Sequence, residues 1–138
     1  MLNIATLAVA ATAALHLKSA DGEALYDGDK PVRIVVHGPG SRAYGVVEGR
    51  QTARAVKRMN ENEGKVTTGT TEERRAETAE DLAAITIAFE GFTYGDGKLQ
   101  GEELFRAVYA DPALGFITKQ VTKFVGDWSN FKQGSVAT

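Results

Sequence analysis

The chain has no cysteine among its 138 residues, which removes disulfides, thiolate zinc sites and thiol nucleophiles at once. It also lacks an excess of one charge. Sixteen Lys and Arg against 18 Asp and Glu leave a formal net charge of −2, so there is no global attraction to nucleic acid or to an anionic membrane. No apolar run is long enough to span a bilayer. The most apolar stretch, Leu2 to Leu17, is short and rich in Ala and Thr. Ala8-Val9-Ala10 has the small-x-small form of a signal cleavage site, but no Lys or Arg precedes it, so a short helical lead-in is expected there. Neither a phosphate loop ending in Gly-Lys-Ser/Thr nor a G-x-S-x-G elbow is present.

What is present is an ordinary globular composition, 43% hydrophobic and 25% charged, at a length that suits one domain over 1–138. Leu15-His16-Leu17-Lys18 alternates as a half-buried strand does, and Asp21-Gly22 marks a turn. Glu23 to Tyr26 follows as a short strand, then a turn over Asp27 to Pro31. Val32 to His37 is β-branched with period two and is the strongest strand signal. These segments predict a small antiparallel sheet over 14–38. A helical part over 41–131 follows. Ser41 caps a helix from Arg42 to about Asn60, and 60–70 is a polar, flexible loop. Thr70 and Glu73 form a capping box for a second helix running to about Glu90, with Leu82, Ile85, Ala88 and Phe89 facing the core. A short helix carries Leu104, Phe105 and Val108. Asp111-Pro112 then opens a last helix whose Leu114, Ile117, Val121, Phe124 and Trp128 step by three and four. Residues 132–138 read as a frayed tail. The fold class is α+β: an N-terminal antiparallel hairpin or meander followed by about four helices, mostly helical.

Several segments tempt a ligand assignment. FTYGDGKLQGEEL, Phe92 to Leu104, has the second half of a calcium loop, with Asp96, Gly97 and Glu103 at loop positions five, six and twelve. Positions one and three are Phe92 and Tyr94, so two side-chain carboxylates are missing. The simpler reading is an aromatic pair that anchors an Asp-Gly turn to the core. Gly38-Pro39-Gly40-Ser41-Arg42-Ala43 fits the Ala form of the dinucleotide fingerprint, but no second parallel strand with a terminal acid follows. His16 and His37, the only histidines, are expected about opposite each other and facing solvent, without a third ligand. No metal, cofactor or catalytic constellation is expected, and the enzyme class has the least support. Arg50, Arg54, Lys57 and Arg58 form a basic stripe on the first long helix, read either as a solvated face or as a site for an acidic protein partner.

One pattern joins these pieces. Tyr109-Ala110-Asp111-Pro112, then Ile117-x-x-Gln120-Val121, then Asp127-x-x-Asn130-Phe131 resembles the C-terminal signature of tail assembly chaperones of long, non-contractile-tailed bacteriophages and prophages. The N-terminal Pro31-Val32-x-Ile34 strand, Gly38-x-x-Ser41 and Tyr44, and the later Phe92 with Asp96-Gly97, are similar to that family as well. Trp128 stands where the family often has Arg. The resemblance implies a protein of the host bacterial cytoplasm that binds the tape-measure protein and recruits tail-tube subunits, with no cofactor, nucleic acid or membrane as partner. Phe124, Trp128, Asn130 and Phe131, together with the basic stripe, are the candidate partner-binding residues, and self-association is a further expectation. Two alternatives stay open: a structural tail or neck protein retained in the virion, and a degenerate EF-hand-like binding module.

Overall fold

Strand β4 (Arg33–His37) organises the fold. The structure is a computed structural model and describes residues 1–61 and 69–133. Ile34 and Val36 on β4 are fully buried, while Arg33, Val35 and His37 between them are half-buried, as period two predicts for a sheet with one covered face. Strand β1 (Thr12–His16) pairs antiparallel along one edge of β4, from Thr12 opposite His37 to His16 opposite Arg33. Two short strands, β2 (Tyr26–Asp27) and β3 (Lys30–Pro31), close a small hairpin between them around Gly28, whose φ of 65° suits a residue without Cβ. The Leu17 N–H donates to the Val32 carbonyl and the Leu25 N–H to the Leu17 carbonyl, so the ladder continues past β1 as an irregular meander.

The helices α1 (Arg42–Glu61) and α2 (Thr71–Ile85) form a hairpin. The Ser41 hydroxyl donates to the Gly38 carbonyl and accepts from the Tyr44 N–H, and the Thr70 hydroxyl accepts from the Glu73 N–H, so both expected caps form. One boundary needs correcting. Asn60 and Glu61 are helical rather than loop, and 62–68 lies outside the described residues, as does 134–138 of the expected frayed tail.

The larger correction concerns Thr86 to Glu90, expected as the end of α2. It is strand β5 (Thr86–Glu90), antiparallel to the second edge of β4, giving a sheet ordered β1-β4-β5. The helix stops because Thr86 takes an extended conformation, and its hydroxyl donates back to the Leu82 carbonyl at 2.7 Å. With that proton committed, the buried Tyr109 hydroxyl must donate to Thr86 Oγ1, also at 2.7 Å. Burial pushes the Tyr109 phenol well above its ordinary pKa, so it stays a donor. The register shifts beside Val36, leaving Ile87 without an opposite residue and exposed.

Helices α3 (Gly101–Ala110) and α4 (Gly115–Val125) complete the layer over the sheet. The last helix begins later than expected: Pro112–Leu114 is a 3₁₀ turn capped by Asp111, and Trp128–Phe131 is a separate 3₁₀ turn capped by Asp127. The core joins Ile34 and Val36 to Leu82 and Ile85, Val108 and Tyr109, Ile117 and Val121, and Phe131. Phe131 closes it. Its ring lies where a Cβ on Gly38 would have to go, and the Ala10 N–H donates to its carbonyl at 2.6 Å. Gly38→Ala forces that ring aside and is expected to lower unfolding free energy by about 1–3 kcal/mol, read from urea unfolding. Phe131→Ala is expected to cost about 3–5 kcal/mol in the same assay.

Candidate interaction surfaces

The basic stripe on α1 turns toward α2. Arg54 grips Asp81 with both terminal nitrogens, at 2.9 Å and 2.7 Å, while the Gln51 amide donates to the same carboxylate at 3.1 Å. Asp81 is only 6% exposed, and all three of these donors come from α1. The hydrogen bond to Asp81 raises the Arg54 pKa, against the opposing effect of its burial. Arg58 pairs with Glu77 and lies 3.9 Å from Glu73, and Arg50 lies 3.7 Å from Glu80. Arg50 is the weakest rung: among the described residues, its buried Nε finds no hydrogen-bond partner. Lys57 points away and, among the described residues, pairs with Glu61 at 4.0 Å. Three of the four stripe residues therefore serve an internal ladder, and Lys57 faces solution. The counter-signal was in the sequence, since Glu73, Glu77, Glu80 and Asp81 repeat on α2 at matching helical steps.

The C-terminal candidates separate in a similar way. Phe131 is buried, and Phe124 is half-buried with its ring 5.5 Å from that of Phe131. The Asn130 amide donates to the Phe124 carbonyl at 3.0 Å. Trp128 is the exception at 57% exposed. It flanks Gly40, and Val9 approaches the same glycine, so the N-terminal arm leaves the body beside the indole. That arm carries exposed Met1, Leu2, Ile4 and Leu7 around a 3₁₀ turn capped by Asn3, in line with the expected helical lead-in. Of the seam on the last helix, Ile117 and Val121 are core, Leu114 and Phe124 are half-buried, and only Trp128 stands free.

The other candidates resolve into structural roles. Phe92 stacks on Phe89 with centroids 4.7 Å apart, and the Tyr94 hydroxyl donates to Asp111 at 2.9 Å, so this aromatic pair anchors the turn as expected. Asp96 Oδ1 accepts from the Lys98 N–H, and Gly97 takes φ 76°. The two histidines are not opposite each other: they sit at opposite ends of the β1–β4 ladder. His16 is buried rather than solvent-facing, donating from Nε2 to the Leu25 carbonyl at 2.8 Å under the edge of Tyr26. Among the described residues, no group of three or more His, Asp or Glu could hold a metal, and no helix is long and apolar enough to cross a membrane. Comparison of the chain with protein-family models, with curated proteins and with solved structures gives no match.

Breaking the strongest rung exposes its value. Arg54→Ala leaves the Asp81 carboxylate buried without its main counter-ion and is expected to cost about 2–4 kcal/mol in thermal or urea unfolding. Arg50→Ala, at a half-exposed pair, is expected to cost under about 1 kcal/mol. A second test reads the Asp127 cap. Its carboxylate accepts from the Ser129 hydroxyl at 2.6 Å and the Ser129 N–H at 3.0 Å, which together hold its pKa below the usual carboxylate value. A lowered folded-state pKa means that this contribution to stability is present above the ordinary Asp range and is lost as pH falls through the folded value. Carbon-detected NMR titration should place the Asp127 midpoint below 3.8, and Ser129→Ala should move it upward.

Proposed function

We propose that this chain is an assembly chaperone for a long helical protein, of the kind that coats a phage tape-measure protein and recruits tail-tube subunits around it in the host bacterial cytoplasm. The observation that carries the reading is the division of labour in the segment bearing the resemblance. Tyr109 donates to Thr86, and Asp111 caps the 3₁₀ turn at Pro112 while accepting from Tyr94. Gln120 clamps the Lys18 backbone with two 2.8 Å bonds, accepting from its N–H and donating to its carbonyl. Ile117, Val121 and Phe131 are core, and Asp127 and Asn130 fix the final turn. All nine signature residues thus hold the fold. A shared signature of this kind supports a shared architecture and leaves client choice to residues outside it. Trp128 is such a residue: exposed, aromatic and continuous with an apolar N-terminal arm, as a contact for an amphipathic client helix should be.

Co-expression with a long helical protein of the tape-measure kind tests this reading. The wild-type chain should keep that protein soluble and co-purify with it. Trp128→Ala, and separately Ile4→Ser with Leu7→Ser, should reduce recovery by about tenfold while leaving the melting temperature within a degree or so. Undiminished recovery with both variants would overturn the surface assignment. Rings or tubes formed by the chain alone, without affinity for that protein, would favour a structural tail component instead.

A further inference from the structure

Helix α1 is joined to the body in an unusual way. It is the longest helix at 20 residues, yet Val47 is its only buried residue, with Tyr44 half-buried one turn earlier. Among the described residues, its other side-chain attachment is the ladder of Arg50, Arg54 and Arg58, with Gln51, on the acidic face of α2. By contrast, α2 buries four apolar residues besides Asp81, and α3 and α4 bury three each. Apolar packing thus dominates the attachment of α2, α3 and α4, whereas α1 adds to its two apolar contacts a ladder of charge. Beneath it lies a cavity of about 190 Å³, floored by Leu82, Ile85 and Val125 and rimmed by Gln51, Thr78 and Thr122. The fit between α1 and that floor is therefore incomplete.

We infer that the groove formed by α2 and α4 is a binding site for a basic amphipathic helix of a partner protein, and that α1 is its displaceable occupant. Charge complementarity selects the partner. Glu73, Glu77, Glu80 and Asp81 present carboxylates along one face of α2, and Asp81 sits where a guanidinium can take it with both nitrogens. A fitting helix carries Arg or Lys at three positions four apart, an apolar residue three before the first and an aromatic three before that, the pattern of Tyr44, Val47, Arg50, Arg54 and Arg58. A bulkier apolar residue than Val47 would fill the cavity and give an incoming helix an advantage over α1. Its recognition elements, the α2 carboxylates with Leu82, Ile85 and Val125, do not include Trp128 or the N-terminal arm, so it is tested independently of the client surface proposed there.

The probe is a fluorescein-labelled peptide of residues 41–61 of this chain, titrated into the full-length protein by anisotropy. A triple variant with Arg50, Arg54 and Arg58 all changed to Ala unlatches the resident helix, and a cooperative thermal transition by circular dichroism checks that the rest of the chain is still folded before it is titrated. It should bind the peptide about tenfold or more tightly than the wild-type chain does, because less of the wild-type population is open. Binding should weaken by about tenfold between about 0.05 and about 0.5 M NaCl. A peptide carrying Arg54→Glu should lose most of its affinity for the same folded variant. This arm needs no further change to the protein. Failure of the unlatched variant to bind more tightly, or equal binding of the Arg54→Glu peptide, overturns the proposal. A concentration-dependent dimer of the wild-type chain in sedimentation, with α1 exchanged between copies, would assign the groove to a second copy and overturn the choice of partner.

Discussion

The rest of the structure depends on one constraint: β4 has two backbone edges to satisfy and a single face to bury. β1 precedes it and covers one edge. The other is covered by β5, which lies nearly fifty residues later and reaches β4 only because α1 and α2 carry the chain out and back. Buried backbone groups without partners are expensive, so pairing at the second edge outweighs continuation of α2 beyond Ile85. The Leu82–Thr86–Tyr109 hydrogen-bond chain fixes the switch from helix to strand and ties it to α3. Phe131 then seals the opposite end by entering the space above Gly38.

The parts legible in the sequence were those set by local chemistry. The Ser41 and Thr70 caps, the Asp111-Pro112 turn, the Asp96-Gly97 turn itself and the alternation of Val32 to His37 all follow from neighbours a few positions away. The parts that were not legible depend on distant partners. Leu82, Ile85, Ala88 and Phe89 keep helical spacing through the point where the helix ends, so periodicity hid β5, and only the β-branched Thr86-Ile87 pair hinted at it. The arginine stripe looks like an open surface until α2 is folded beside it. His16 and His37 required a register that neither residue encodes. The repeated three-four steps from Leu114 to Trp128 ran across two separate turns, which is why Trp128, placed on the seam by spacing, stands outside it.

Two kinds of attachment coexist in this small molecule. Apolar burial holds the sheet against α2, α3, α4 and Phe131, and it is nearly indifferent to salt. A ladder centred on Asp81 holds α1 and is weakened by screening wherever its rungs meet water. The exposed arm and Trp128 form a third region, apolar and open to solvent. A packed core with one charge-latched helix and one exposed apolar end fits the proposed role of temporary contact with another chain.

Hydrogen exchange measured by mass spectrometry in low and high salt tests the central claim, that a ladder of charge latches α1 while apolar packing dominates the rest. Raising NaCl from about 0.05 to about 0.5 M should speed exchange selectively in peptides covering Arg42–Glu61, while β4, β5, α3 and α4 keep their protection. Equal protection of α1 and the core at both salt concentrations, or loss of protection across the whole chain together, would contradict it.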